Sequence, residues 1–216
     1  MMKPVYTIKK MHEDPSDISS VELWKSVEQL IIKDYKWMEN DYKPEVIIKA
    51  LYSKNYFYLN YLVYEEKVTV SYTQINDPVF KDSCVEFFIN LFPVETQAYF
   101  NIEFNAIGVI KMGYGIKRKR TYLTEADLSS IKIITSIKEP MKGSHGSDSW
   151  SLICAIPIHL FEKFSGRIFL EEDAIGNFYK CGDETECRHY GMWSEVINSS
   201  PDFHLPEYFG TIRFSK

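Results

Sequence analysis

The sequence predicts an all-β protein, a two-sheet antiparallel β-sandwich of the jelly-roll or immunoglobulin-like kind with one or two short helices. Aromatic residues make up 15% of the 216 residues, and aromatic side chains favour strands. Apolar and polar residues alternate with a period of two in several segments, as in strands with one buried face. No internal repeat or long linker divides the chain, so residues 1–216 are expected to form one domain.

The elements follow in chain order from this alternation and from the turn-forming residues between segments. A first helix could begin within residues 15–25, where Ser16 can cap it. Strands are expected at residues 46–52, 56–64, 67–72, 84–91, 97–105, 131–137, 150–156 and 208–214. A short helix is expected at residues 158–164, directly after Pro157. Roughly ten short strands over this length predict a sandwich.

Charge and hydropathy exclude several classes of partner. The chain has 25 basic and 30 acidic residues, so a mainly electrostatic attachment to nucleic acid is not expected. No segment approaches the ~20 apolar residues that a membrane span requires. The first ten residues lack the apolar region of a secretory signal, so the expected compartment is cytoplasmic, or periplasmic or secreted if a leader was removed.

The most informative feature is the second face of two neighbouring strands. The gap at residues 92–96 suits a hairpin, which makes strands 84–91 and 97–105 antiparallel neighbours. The side chains opposite the core would then share one exposed face: Glu86, Phe88, Asn90, Tyr99, Asn101, Glu103 and Asn105. Carboxylates and amides can bind vicinal hydroxyls, and aromatic rings can stack on a sugar ring. The face therefore predicts a saccharide-binding surface.

Two alternatives remain for the same face. It can be an ordinary solvated sheet face, since polar residues commonly point outward from a half-buried sheet. It can also be the active site of a small glycoside hydrolase, because Glu86 and Glu103 could reach the ~5 Å carboxyl separation of a retaining enzyme. The register of the hairpin decides whether they are opposite, and the sequence leaves the register open.

Two further segments bear on the site. Trp193 is flanked by Gly191, Ser194 and Glu195 rather than by apolar residues, so its ring is either exposed for binding or part of the core. Residues 117–120 (KRKR) follow two glycines, and in an acidic chain such a run is interpreted as a solvated turn.

Several phrases together resemble the carbohydrate-binding module family 9-like domains, within the larger set of DOMON-like β-sandwiches. They are NDPVFKDSCVEFFI (76–89), YFNIEFNAIG (99–108), NFYKCGDET (177–185) and PDFHLPEYFGTIRF (201–214), and the likeness covers about residues 20–216. The resemblance implies a jelly-roll sandwich that binds carbohydrate without cleaving it, in relatives often attached to glycoside hydrolases. It thus implies a role in polysaccharide catabolism or sensing, with a separate hydrolase as a potential partner.

The resemblance also implies a set of site residues. Members of the family hold a sugar, typically at the reducing end of a chain, between two aromatic rings and by polar side chains. Carried over by position, the rings are Phe80 and Trp193, and the polar residues are Glu86, Asn101 and Glu103. Phe80 stands where those members have tryptophan, which implies weaker stacking or a different ligand.

The resemblance leaves two other points open. Relatives bind structural calcium, which Asp77 or Asp82 could hold in this chain. A DOMON-like domain can also have lost sugar binding and serve as an interaction module or bind a cofactor such as haem.

Overall fold

The computed structural model describes residues 3–144 and 148–215, excluding the side chain of Ser144. The strands in these residues are β1 Val5–Lys10, β2 Leu30–Ile31, β3 Asp34–Tyr35, β4 Glu45–Tyr52, β5 Tyr56–Tyr64, β6 Lys67–Val70, β7 Cys84–Asn90, β8 Tyr99–Asn105, β9 Ile110–Ile116, β10 Lys119–Tyr122, β11 Lys132–Thr135, β12 Met141–Ser144, β13 Ser149–Pro157, β14 Ala174–Gly182, β15 His189–Met192 and β16 Gly210–Phe214. The helices are α1 Val21–Trp24, α2 Glu125–Leu128 and α3 Ile158–Ser165, with 3-10 turns at Val79–Lys81 and Pro206–Tyr208.

The strands form two layers, which confirms the predicted sandwich. The first sheet has the order β10-β9-β8-β7-β14-β16-β1, and the second has the order β1-β4-β5-β13-β11. Strand β1 belongs to both, because residues 5–8 pair with β16 and residues 9–10 pair with β4. Both of these pairings are parallel, so β1 is an exception within the predicted antiparallel sandwich. A separate ribbon pairs β6 with β12.

The core lies between the two sheets and is built by the alternation read from the sequence. On β5 the alternating side chains from Phe57 to Val63 are buried in it, and on β7 so are Val85, Phe87 and Ile89. Phe87 stacks on Phe178 of β14, with ring centroids 4.4 Å apart. These packed rings bury the large apolar surfaces that dominate the stability of a fold of this kind.

The opposite face of β7 and β8 is also buried, contrary to the expectation of an exposed face. Every residue of both strands is buried. The cover comes from two remote segments, the 3-10 turn at Val79–Lys81 and the chain from residue 193 to 209. Val79, Val196, Phe203 and Phe209 form a second apolar cluster there with side chains of the sheet. Alternation shows which face meets the core, but it cannot show that a distant segment covers the other one.

Other differences from the predicted elements have local causes. Strands β9 and β10 form a hairpin where the sequence suggests a loop, because Lys117 adopts a positive φ of 50° at its tip. Helix α1 covers only the end of the segment predicted as helical, and α2 was not predicted. The helix expected at residues 158–164 is confirmed as α3, which ends at Gly166 with φ 68°.

Candidate functional site

A cavity of about 230 Å³ opens on the covered face of the first sheet. The turn at Val79–Lys81 contributes Phe80 to its lining, and the C-terminal segment contributes residues 201–204. Its complete lining is Phe80, Glu86, Phe88, Glu103, Arg118, Cys181, Asp183, Tyr190, Pro201, Asp202, Phe203 and His204. Pockets for drug-sized ligands have volumes of about 300–1,000 Å³, so this cavity is of a size for one small ligand or one ligand end.

Two carboxylates lie side by side in this cavity. Strands β7 and β8 pair so that Glu86 is directly opposite Glu103, which settles the register that the sequence leaves open. Burial raises the pKa of both carboxyl groups, and the neighbouring charge of Glu103 raises that of Glu86 further. The Oε2 atom of Glu103 is buried and has no hydrogen-bond partner in the part of the chain that the structure describes. A buried carboxylate oxygen without a donor is costly, and a ligand hydroxyl or amine would satisfy it.

Asn101 connects Glu103 to an arginine on the next hairpin. Its Nδ2 donates to Oε1 of Glu103 at 2.6 Å, and its Oδ1 accepts from Nη1 of Arg120 at 2.6 Å. The same guanidinium donates through Nη2 to the Tyr99 hydroxyl at 2.8 Å and contacts Nδ1 of His204 at 3.1 Å. Asn101 is therefore a positioning residue, because it fixes the orientation of the Glu103 carboxylate and does not line the cavity itself.

The network also fixes the state of His204. A guanidinium can only donate, so Nδ1 of His204 accepts the bond from Arg120 and the imidazole is neutral. Burial and the charge of Arg120 lower the pKa of His204 to about 3, in agreement with this assignment. The ring stacks on Phe88 with centroids 5.1 Å apart. His204 thus presents a neutral, rigidly held ring to the cavity.

Phe80 is the half-buried ring of the cavity. Its backbone carbonyl accepts a hydrogen bond from Asp183 N at 3.2 Å, which ties the turn to the loop after β14. The Lys111 ammonium lies 5.3 Å from the centroid of the Phe80 ring. A half-buried ring in the lining of a cavity can offer an apolar plane to a ligand.

Trp193 lies elsewhere. Its ring packs on the inter-sheet core, with its centroid 6.2 Å from that of Phe178 and 6.4 Å from that of Tyr6. It also covers Gly210, where an added Cβ would come within 2.6 Å of the indole. Of the five residues predicted from the sequence, the structure brings Phe80, Glu86 and Glu103 together with Asn101 behind them, and it places Trp193 outside the lining. This packing fits the core interpretation of Trp193 and does not fit a stacking role.

Sequence reasoning missed several residues of the site. Arg118 and Arg120 lie in the basic run interpreted as a solvated turn, and the glycine pattern before the run is the signal that could have placed them. Gly113 is opposite Asn101, and its lack of a side chain leaves room for the Arg120 side chain. Phe203 and His204 lie in a phrase that supports the family resemblance, and nothing in a single sequence shows that this phrase folds over β7.

The residues suggested for calcium do not fit that ion. Both carboxylate oxygens of Asp82 accept hydrogen bonds from backbone N–H groups, of Ser71 at 2.9 Å and Tyr72 at 3.0 Å. Asp77 accepts from the backbone N–H of Gln74 at 2.8 Å. Among residues 3–144 and 148–215 no cluster of three or more acidic, cysteine or histidine side chains could hold a metal ion. Asp82 and Asp77 therefore anchor loops.

A second cavity of about 580 Å³ lies between α3 and the turn from β4 to β5. Its Asp14 carboxylate already accepts hydrogen bonds from Ser53, from Asn55 at 2.7 Å and from Tyr58 at 2.9 Å. This cavity is larger, but its acidic groups have partners. The cavity with Glu103 is the stronger candidate, because a buried polar atom in its lining lacks one.

The fold and this cavity define a class of protein, the β-sandwich modules with a small polar cavity on one sheet face. Within that class, the family model described as carbohydrate-binding family 9 matches residues 20–214. The chain therefore belongs to carbohydrate-binding family 9. Membership supports non-catalytic carbohydrate binding as its function and does not favour the glycosidase or interaction-module alternatives.

Solved structures agree with this assignment. A crystal structure at 2.70 Å of a presumed carbohydrate-binding protein from Bacteroides uniformis ATCC 8492 is 29% identical, with a TM-score of 0.86 over 99% of this chain and 100% of that one. A family 9 module from Caldicellulosiruptor kristjanssonii in complex with glucose is 15% identical, with a TM-score of 0.63 over 97% and 96% of the two chains. Its complex with cellotriose is 14% identical, with a TM-score of 0.64 over 98% and 93%.

No curated protein matches the chain. In the described residues, no helix is long and apolar enough to span a membrane.

Proposed function

We propose that the cavity with Glu86 and Glu103 is the carbohydrate site, and that it binds a monosaccharide or the reducing end of an oligosaccharide. The observation that carries the proposal is the buried Oε2 atom of Glu103, which has no partner among the described residues and lies beside Glu86 in the lining. The glucose and cellotriose complexes of the Caldicellulosiruptor module, which shares the fold, support a saccharide as the ligand.

Each part of the site has a role in this proposal. Phe80 stacks on the apolar face of the sugar ring, while Glu86 and Glu103 accept hydrogen bonds from its hydroxyls. Asn101 and Arg120 hold Glu103 in position through two bonds of 2.6 Å. A cavity of about 230 Å³ encloses one ring and leaves the rest of a chain outside. This geometry favours recognition of the end of an oligosaccharide over recognition of sugars within it.

Family membership supports binding without hydrolysis. Glu86 and Glu103 lie directly opposite each other on adjacent strands, a placement that a retaining glycosidase pair also has, so the family and not this placement favours binding over cleavage. We therefore propose a binding site without turnover, serving polysaccharide breakdown or sensing alongside a separate hydrolase.

The test is isothermal titration calorimetry of glucose, xylose, galactose, cellobiose and xylobiose, each compared with its reduced alditol. Binding should be weak to moderate, since each net hydrogen bond contributes only ~1 kcal/mol and the ligand is small. We expect Phe80→Ala to lower affinity at least about tenfold, because it removes the stacking plane. A sugar that binds equally well after reduction to its alditol would contradict reducing-end recognition.

A matched control separates stacking from general loss of an aromatic side chain. Tyr64 is 44% exposed on β5 of the second sheet, so Tyr64→Ala should leave sugar affinity unchanged. Trp193→Phe keeps a ring in the core and should also bind normally. Loss of binding in Trp193→Phe with retained binding in Phe80→Ala would overturn the assignment of the cavity.

A further inference from the structure

The cavity carries more negative charge than its own cation neutralises. Its lining includes one guanidinium, that of Arg118, and four carboxylates, those of Glu86, Glu103, Asp183 and Asp202. Arg118 is already paired with Asp202 at 3.0 Å. The Asp183 carboxylate forms an ion pair with Arg188 at 3.7 Å and accepts a hydrogen bond from the Tyr190 hydroxyl. The charge that lacks compensation is therefore that of the buried pair Glu86 and Glu103.

Three cationic side chains lie near this pair without an ion pair to it in the described residues. The Lys111 ammonium lies over the Phe80 ring and acts on both carboxylates only through space. The Arg120 guanidinium is hydrogen-bonded to Asn101 at 2.6 Å, and its positive charge affects Glu103 without a direct contact. Lys180 is fully buried in another ion pair. None of them supplies a donor to the free oxygen of Glu103.

We propose that the cavity prefers a saccharide with an ammonium group, an amino sugar, over the neutral sugar of the same stereochemistry. The inference rests on the proposed function, because the sugar ring must first be held beside Phe80. The ammonium donates to the unpartnered Oε2 atom of Glu103 and to the carboxylate of Glu86 directly opposite. It supplies both a donor and the missing positive charge.

The chemistry of the pair supports a cation rather than a hydroxyl alone. Burial opposes ionisation of both carboxyl groups and raises their pKa. The charge of Lys111 lowers the pKa of both, that of Lys180 lowers the pKa of Glu86, and that of Arg120 lowers the pKa of Glu103, but burial has the larger effect. A bound ammonium acts in the opposite direction, because its positive charge favours the ionised form of both carboxyl groups, and any proton that the pair holds is then released to solvent. Hydrogen bonds between charged groups are about twice as strong as those between neutral groups.

The test is calorimetric titration of glucosamine, glucose and N-acetylglucosamine, repeated for the galactose series, at about pH 6, where a simple amine is protonated. We expect the amino sugar to bind at least about tenfold more tightly than the neutral and N-acetylated sugars. Titration in two buffers with different ionisation enthalpies should show proton release for the amino sugar only. Glu103→Gln should reduce the affinity ratio to about one.

Two further variants keep the test decisive. Glu86→Gln should also lower the ratio of the affinity for the amino sugar to that for the neutral sugar. It serves as the test variant if Glu103→Gln does not fold. Glu139 is exposed in the turn before β12, so Glu139→Gln removes one negative charge outside the cavity and should preserve the ratio. If the neutral sugar binds as tightly as the amino sugar, the inference is overturned while the proposed function stands. If no sugar binds to the folded protein, both fail.

Discussion

At the scale of single residues, the site is dominated by Glu86 and Glu103. Their side chains are almost fully buried and lie opposite each other, so ionisation of either one is opposed by lost hydration, and that of Glu86 also by the charge of Glu103. A fold selected for stability alone would place apolar or amide side chains here. The carboxylates are unfavourable for the unliganded protein and become favourable when a ligand provides donors.

Glu86→Gln should therefore stabilise the unliganded protein at about pH 8 and do so much less at about pH 4. The folded-state pKa of Glu86 lies above its unfolded value, so its contribution to stability is present below the unfolded pKa and is lost as the pH rises. The glutamine side chain does not ionise, so this loss of stability does not occur in the variant. Its amide can also donate a hydrogen bond to Glu103. We expect a rise in Tm of a few degrees, since about 1 kcal/mol corresponds to roughly 2–4 °C in a chain of this size.

Thermal unfolding at both pH values measures this effect, with exposed Glu139→Gln as the matched charge change. Equal Tm shifts at the two pH values would show that ionisation of Glu86 is not the cause. A lower Tm at about pH 8 would contradict the unfavourable burial of the carboxylate.

At the scale of elements, the hairpin of β9 and β10 extends the sheet beside β8 and supports the candidate site from there. Gly113 of β9 is opposite Asn101 of β8, and a Cβ there would lie 3.0 Å from Oδ1 of Asn101 and 3.2 Å from Cδ of Arg120. The absence of a side chain lets Arg120 reach from β10 to Asn101. One glycine in a strand thus allows an arginine two strands away to orient the Glu103 carboxylate through Asn101.

Gly113→Val should lower sugar affinity about tenfold by displacing Arg120, a loss of about 1.4 kcal/mol of binding free energy. Arg120→Ala should lower it by a similar amount, and the double variant should be no worse than either single variant, because both break the same connection. Calorimetry measures the three affinities. Exposed Thr121→Val on the same hairpin serves as control, and additive losses would mean that Gly113 and Arg120 act separately.

At the scale of the whole molecule, a buried polar cluster joins the layers. Lys180 of β14 points into the interior and pairs with Glu65 at 3.2 Å, and both side chains are fully buried. Trp150 of the second sheet donates to the same carboxylate at 2.8 Å. His189 accepts from Lys180 through Nε2, and burial lowers its pKa to about 4, so it stays neutral. The strand that carries Lys180 also pairs with β7, so this cluster fixes the sheet on which the site is built.

Lys180→Met should destabilise the protein by about 3–5 kcal/mol, because it leaves the buried charge of Glu65 without its cation. Adding Glu65→Gln should recover most of this loss, since the amide still accepts from Trp150. Denaturant unfolding of both single variants and the double variant gives the coupling energy. The exposed pair Lys67 and Glu186 is the matched control, and the same substitutions there should change stability little. If the losses of stability caused by Lys180→Met and Glu65→Gln simply add in the double variant, the two residues are not coupled and the prediction is contradicted.

The sequence by itself determined the sandwich, the hairpin of β7 and β8, and the chemistry of three cavity residues. It could do so because a strand repeats every two residues, so local alternation reveals the core face and leaves Glu86 and Glu103 on the other one. The phrases around Phe80 and the C-terminus identified the family. These are properties of neighbouring residues along the chain.

Only the tertiary structure decided that the face with Glu86 and Glu103 is buried and that a small cavity opens on it. Residues 201–204 line the cavity with Glu103, and Arg120 bonds to Asn101 beside it, although these residues are far apart in the chain. Trp193, polar in its sequence context, packs on Tyr6 and Phe178 instead. Contacts between distant segments depend on how the sheets curve and pair. A local sequence pattern cannot predict these contacts. Which segments cover the candidate site, and which charges lie within it, therefore depend on the tertiary fold.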